Sequence, residues 1–416
     1  MLNLRNIFLL ILFLHPTFQN LNEKISGGML AVWSPFGVIS ITVTYLAFIY
    51  LIIKKEIIIK GLALFIPFFL LLCFAFMSIF VSDFPVMSLR NFAELASFFV
   101  IYILSANIFS TEKKMKLLIK TIIFSSVIPL AIALGQLIFA GGSYWGSIFR
   151  VEGTLGGPNS LAFYLLCVFP LLAVSVSGDE GRKRSRQNVF MLFLVILAVA
   201  MLLFTYTRTA WIAFTVQVFM LWYFGRRRIG SLIAILILFA IAFLAMPNII
   251  ARMSQLTDEG GSFYWRLTTW RALLQIALKK PLLGYGIGTS ALIYEKFGYQ
   301  LAVPHNDYLR VFLETGALGI ITYAWLWFSI LVSNRYFYRK SAEDVFLKKI
   351  STAFMTISVA YMIASTADNF FNNSVFLWPF FCIAGALGGF YRKQASVPKS
   401  ENKNVNTMTE SRNLCI

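Results

Sequence analysis

The sequence predicts an all-α, polytopic membrane helix bundle of about 12 transmembrane helices, with a long outer loop carrying an amphipathic helix. Three observations predict it. The residues are 59% hydrophobic and only 13% charged, with a mean hydropathy of +0.76, which no soluble globular domain matches. Apolar runs near the ~20 residues needed to cross a bilayer as helix recur along the whole length. The cations fall in alternate connections between those runs.

Taken in order, the apolar runs lie near 6–19, 30–53, 61–80, 88–109, 116–140, 159–177, 189–206, 209–224, 230–246, 306–333, 349–367 and 375–391. The first is the weakest, because its core from Ile7 to Leu14 is short and precedes Pro16. A cleavable leader is the competing reading there. The small residues of an A-x-A cleavage site are missing, which favours a first membrane helix.

The net charge of +18 would suit nucleic acid, but its placement points to a membrane and excludes a nucleic-acid partner. Lys54, Lys55 and Lys60 lie in one connection, and Lys113, Lys114 and Lys116 in the next of the same side. Arg182, Lys183, Arg184 and Arg186 follow, then Arg226, Arg227 and Arg228, then Arg335, Arg339, Lys340, Lys348 and Lys349. Arg392, Lys393, Lys399, Lys403 and Arg412 close the series. This is the positive-inside pattern, and with twelve spans it puts both termini in the cytoplasm. Cys73, Cys167 and Cys382 fall in apolar spans and Cys415 in the polar tail, so neither a disulfide nor a metal site is expected.

Three regions follow: N-terminal transmembrane helices over 1–140, a membrane core over 141–391, and a polar, disordered cytoplasmic tail over 392–416. One connection, 247–305, is too long for a plain turn. Within it Phe263, Leu267, Trp270, Leu274 and Leu278 recur at helical spacing beside Arg266 and Arg271, which reads as an amphipathic interfacial helix. Pro281 ends it. Gly284-Tyr285-Gly286-Ile287-Gly288 then forms either a tight turn or a backbone-amide anion nest, and both readings stay open.

His305 is the leading candidate for proton transfer. The chain has two histidines, and His15 lies in an apolar segment. His305 follows Pro304 at a helix start, where the positive end of the helix dipole suits a neutral, proton-accepting imidazole. Arg90, Arg150, Arg208, Arg252, Arg266, Arg271, Lys279, Lys280 and Lys296 break the positive-inside pattern, and three arginine sites stand out among them. Arg208 sits between two spans with almost no loop, so it faces a polar cavity or snorkels to headgroups. Arg150 leads into a glycine-rich turn in which Asn159 is placed to cap the next helix. Arg266 and Arg271 flank Trp265 and Trp270, at a lipid surface or at a substrate. Guanidinium groups stay charged and grip phosphate oxygens in pairs, so arginines around an imidazole suit a diphosphate substrate and a base. Downstream, Asp307, Arg310 and Glu314 share a helix face, with Arg310 and Glu314 read as a structural ion pair. Arg90 and Glu94 repeat that spacing. Asp368, with Asn369, Asn372 and Asn373, forms a polar outer turn that could bind sugar hydroxyls, although a plain connecting turn is the favoured reading.

The run His305-Asn306-Asp307-Tyr308-Leu309, followed by Glu314-Thr315-Gly316-Ala317-Leu318-Gly319, resembles the signature of the O-antigen ligase and O-antigen polymerase superfamily. Arg150 through Asn159, Arg208 in Tyr206-Thr207-Arg208-Thr209-Ala210, and Arg266 with Trp270 and Pro281 to Gly286 fit the same pattern. The resemblance covers roughly 150–390 and makes 141–391 a ligase-like core. It implies a metal-independent, inverting glycosyltransferase without cofactor in the bacterial cytoplasmic membrane, its site on the outer face. The implied donor is a glycan on undecaprenyl diphosphate, and the acceptor a glycan or lipid. It makes His305 the catalytic base on the acceptor hydroxyl, or the residue that orients that hydroxyl, and assigns Arg208, Arg266 and Arg150 to the diphosphate. Asn159, Arg271, Tyr285, Asn306 and Asp307 would shape the substrate site. A lipid-linked glycan flippase or other transporter is the alternative, although no repeated halves are visible. A peptidoglycan-polymerase type would need an outer-loop carboxylate, for which Asp258 and Glu259 are the obvious pair.

Overall fold

A computed structural model describes residues 4–18, 35–145, 148–176, 186–225, 262–371 and 373–396. It is 77% helical, an all-α membrane bundle. The helices are α1 (Leu4–Phe18), α2 (Pro35–Ile53), α3 (Phe65–Phe80), α4 (Pro85–Ile108), α5 (Glu112–Phe124) and α6 (Val127–Phe139). A two-stranded hairpin, β1 (Ser143–Trp145) and β2 (Ile148–Arg150), leads to α7 (Pro158–Val176), α8 (Arg186–Phe204) and α9 (Arg208–Phe224). Then come α10 (Ser262–Ala277), α11 (Ser290–Lys296), α12 (Asp307–Lys340), α13 (Val345–Ala364) and α14 (Ser374–Ala395). Among the described residues, 7 helical stretches are long and apolar enough to cross a membrane, α5 and α6 counting as one, and α1, α3 and α8 are shorter apolar helices. The protein is therefore a multi-pass membrane protein. The expected span at 230–246, the loop segment to 261 with Arg252, Asp258 and Glu259, and the tail from 397 lie outside the described residues.

The structure adjusts four expectations. The run 116–140 is two helices, broken at Ser125–Ser126, because Pro129 lacks the amide that would bond the Ser125 carbonyl and its ring crowds that carbonyl. A hairpin precedes the glycine-rich turn, pairing Ser143 with Arg150 and Tyr144 with Phe149. α14 runs to Ala395, so Arg392 and Lys393 belong to a helix and not to the tail. Arg392 donates to the carbonyls of Ile58 and Ala106 and to Asn107 Oδ1, which ties the end of α14 to the α2–α3 connection and the end of α4. On α10 the buried stripe is Thr269, Ala272, Leu273, Ile276 and Ala277, while Leu274 and Leu278 face outward as lipid contacts would.

α14 is the hub. It packs along α4, where Gly385 and Gly389 let the backbones of Tyr102 and Ala106 approach closely. Ser105 Oγ donates to Cys382 O (2.6 Å), and Trp378 Nε1 to Ser97 Oγ (3.2 Å). α1 docks onto the same core: His15 is buried and stacked on Trp378, and Thr154 Oγ1 donates to Pro16 O. Among the described residues, basic connections gather at one end. There Lys116 meets Phe346, Lys348 meets Tyr338, and Arg392 meets the α2–α3 connection. The turns from β2 to α7, from α8 to α9 and from α13 to α14, with the start of α12, lie at the other end.

α12 is broken at Gly316 (φ 69°, ψ −166°). The glycine-rich loop seals the break. Tyr285 N and Gly286 N donate to the carbonyls of Leu313 and Glu314, and Ala317 N donates to Pro281 O. In apolar surroundings each of these groups would be costly to leave unpaired. The Glu314 carboxylate, paired with Arg310 Nε at 2.9 Å, also accepts from Gly288 N (2.7 Å) and Ser290 N (3.3 Å). The loop is thus both a tight turn and an amide nest, and the anion it holds is the protein's own.

A Cβ at Gly316 would meet the Leu282 carbonyl at 2.2 Å in a backbone region open essentially to glycine alone. Gly316→Ala is therefore expected to cost at least about 1–3 kcal/mol of stability. Thermal unfolding of the detergent-purified variant reads this, and an unchanged midpoint would show that the break is not required.

Candidate functional site

The end of the bundle away from the basic loops holds a continuous polar network built on four connections. Asn306 caps α12, its Oδ1 accepting from Leu309 N, while its Nδ2 donates to Thr366 O. Asp307 is fully buried. Its carboxylate accepts from Phe370 N (2.9 Å) and Phe371 N (3.1 Å), and its own amide donates to Ser365 O. These bonds cross-tie the start of α12 to the α13–α14 turn. They bring together His305 and Asp368, which are 63 residues apart.

His305 Nδ1 lies 3.1 Å from Asp368 Oδ1. An ionised carboxylate only accepts, so Nδ1 carries the hydrogen, and it is Nε2 that holds the lone pair in the neutral form of the ring. Burial by itself would raise the Asp368 carboxyl. The hydrogen bond and charge of His305, the Asn369 amide and the Arg266 charge overcome burial and hold it below the usual carboxylate value. Asp368 Oδ2 accepts from Asn159 Nδ2 at 2.6 Å. Asn159 Oδ1 in turn accepts from Arg150 Nη2 (2.9 Å) and Thr207 Oγ1 (3.1 Å). Arg150 also donates to Thr205 O and Thr207 Oγ1, and so fixes the α8–α9 turn from which Arg208 begins α9.

Two backbone details mark the same place. His305 (φ 47°) and Tyr206 (φ 50°) are non-glycine residues in the left-handed region, one beside Asn306 and the other two residues before Arg208. Such conformations persist only where the surroundings enforce them, and they concentrate at functional sites. α10 supplies the last wall. Trp270 Nε1 donates to Pro304 O at 2.7 Å, and the Trp265 ring stands edge-on to the His305 ring at 6.0 Å between centroids. Burial lowers the pKa of the Arg266 guanidinium while the charge of Asp368 raises it, and lowering prevails. An arginine nonetheless keeps its charge.

The structure thus gathers His305, Arg266, Arg150 and Asn159 around Asp368, with Arg208 on an adjoining turn. Arg150, expected on the diphosphate, is buried, and at least two of its guanidinium nitrogens engage protein groups that tie the turns together. Asn159 does not cap α7. That helix begins at Pro158, whose fixed φ suits the first helical position, and the Asn159 side chain is given to the network. Asn306 and Asp307 act as cap and staple. Tyr285 packs with Leu273, Ile276 and Leu313 and donates its hydroxyl to Ile276 O, while Arg271 is exposed on α10. The residue that sequence reasoning placed in a plain turn is Asp368. Its signal was a single carboxylate among asparagines on the side expected to face out. Among the described residues no group of three or more His, Cys, Asp or Glu could hold a metal ion.

Residues 193–324, about a third of the chain, match the family model described as O-Antigen ligase. The matched stretch contains Arg208, Arg266 and His305, whereas Arg150, Asn159 and Asp368 lie outside it. No curated protein matches the chain.

Proposed function

We propose, from the premise that this chain is of the O-antigen ligase superfamily and is a membrane enzyme of ligase or polymerase type, that it transfers a glycan from undecaprenyl diphosphate to a hydroxyl acceptor. The observation that carries the reading is the His305–Asp368 pair with Arg266 beside it. Asp368 orients the imidazole, and Nε2 takes the proton of the acceptor hydroxyl. The acceptor oxygen attacks the anomeric carbon from the face opposite the leaving group, the bond to the diphosphate oxygen breaks, and the electron pair leaves with undecaprenyl diphosphate. The configuration inverts. Arg266 and Arg208 stabilise the charge that grows on the leaving diphosphate. Arg150 and Asn159 hold the turns that present Arg208 and Asp368. Arg271, exposed on α10, meets the donor's charged headgroup or the surrounding lipid. The positive-inside pattern supports a site on the outer face of the cytoplasmic membrane.

The test is to supply purified protein with undecaprenyl-diphosphate-linked glycan and identify the product. Elongated lipid-linked glycan means polymerase, and glycan on a second acceptor means ligase. Movement of intact lipid-linked glycan across the bilayer without a new glycosidic bond would mean a flippase and overturn the proposal. The arginines take the charge-stabilising role a divalent ion would otherwise fill, so turnover is expected to be unchanged by a chelator. Loss of activity in chelator, restored by a divalent cation, would refute the metal-free mechanism.

A further inference from the structure

Trp265 has no task in the chemistry above, yet it adjoins the base. Its ring is tilted 67° to His305, 6.0 Å between centroids, and His305 is its only ring contact among the described residues. It remains 41% exposed. It precedes Arg266, whose charge acts on Asp368, and the Trp270–Pro304 bond pins its helix to the residue before His305. An indole so held is part of the site and not only an interfacial anchor.

The chemistry of the exposed ring selects its ligand. The face of an aromatic ring carries negative quadrupole density, so it disfavours the oxygens of a diphosphate. It favours the apolar C–H face of a pyranose, whose hydrogens are weakly positive, and leaves the sugar hydroxyls free at the rim. We propose that Trp265 is the platform on which the acceptor sugar stacks, setting one rim hydroxyl toward His305 Nε2. The site then divides its labour, with arginines on the charged leaving group and an aromatic plane on the neutral acceptor. The inference rests on the transfer reading for the word acceptor, but binding of a sugar at Trp265 can be tested without turnover.

The experiment uses the full chain labelled with 5-fluorotryptophan in lipid nanodiscs, with the Trp265 resonance assigned by its loss in Trp265→Phe. The probes are the acceptor sugars: the oligosaccharide released by mild acid from the lipid-linked glycan of the source cells, which a polymerase extends, and the oligosaccharide released in the same way from the second acceptor where the product is a ligase's. The Trp265 resonance is expected to shift on titration with one of these probes and to ignore exchange of phosphatidylcholine for phosphatidylglycerol. A resonance that follows lipid composition and ignores both oligosaccharides overturns the platform and makes Trp265 a membrane anchor. In turnover, Trp265→Leu keeps the apolar volume but loses the flat face, so the acceptor KM should rise about tenfold or more with donor KM unchanged, while Trp265→Phe keeps most of the affinity. A leucine variant with the parent KM also overturns it. A shifted resonance with no product from the parent protein would sink the transfer reading and leave the platform standing. Product formation with a silent resonance would do the reverse.

Discussion

Replacing His305 with asparagine is expected to lower the rate of glycan transfer by about 10²- to 10⁴-fold, the usual worth of a positioned general base. Asparagine is the informative choice because it tolerates the left-handed backbone that His305 adopts, and its amide can still donate to Asp368. The fold should therefore survive, which size-exclusion behaviour and the unfolding midpoint would show, while the proton acceptor is gone. Arg208→Ala should be as damaging for a different reason, because it removes a cation from the start of α9 without touching the base. Either protein, purified and transferring glycan at the parent rate, would sink the mechanism.

Asp368→Asn is expected to lower kcat on the order of 10²- to 10⁴-fold, by the logic of a carboxylate that holds a catalytic imidazole in one tautomer. The parent carboxylate accepts from His305 Nδ1, Asn159 Nδ2 and Asn369 N, and only an acceptor on both oxygens satisfies all three. An amide at 368 turns its donor toward His305 or toward Asn159. If toward His305, the ring hydrogen moves to Nε2, where it blocks the position that must accept the acceptor's proton. The signature is a fall in kcat with little change in donor KM. Nitrogen chemical shifts of labelled histidine should also show the ring hydrogen leaving Nδ1. An unchanged kcat, or an unchanged tautomer with a merely less stable protein, would reduce Asp368 to a structural residue.

The position of Asp368 shows where sequence reasoning stops. The helices were legible because a bilayer leaves backbone groups no partner but one another, so apolar length alone encodes a span, as it does for α4, α7, α13 and α14. His305 was legible because a second histidine in an apolar helix left it alone, and Arg208 because a cation between two spans needs a reason. The split at Pro129 was readable in principle, since the consequence of proline is local. The pairing of His305 with Asp368, and of Asp368 with Asn159, carried no such mark. Spacing along the chain says nothing about which turns meet.

By itself the sequence determined a membrane-embedded helical bundle and pointed to the residues proposed for an anionic donor. Only the tertiary structure decided which of these groups meet. It made Arg150 a brace, made Asp307 a staple between two turns, gave the glycine-rich loop's amides to Glu314, and put Asp368 at the centre. The physical reason is that hydropathy and charge are summed along a segment, and so survive in one dimension. Hydrogen-bond partnership is a distance of about 3 Å between groups on different helices, and it exists only once those helices have packed.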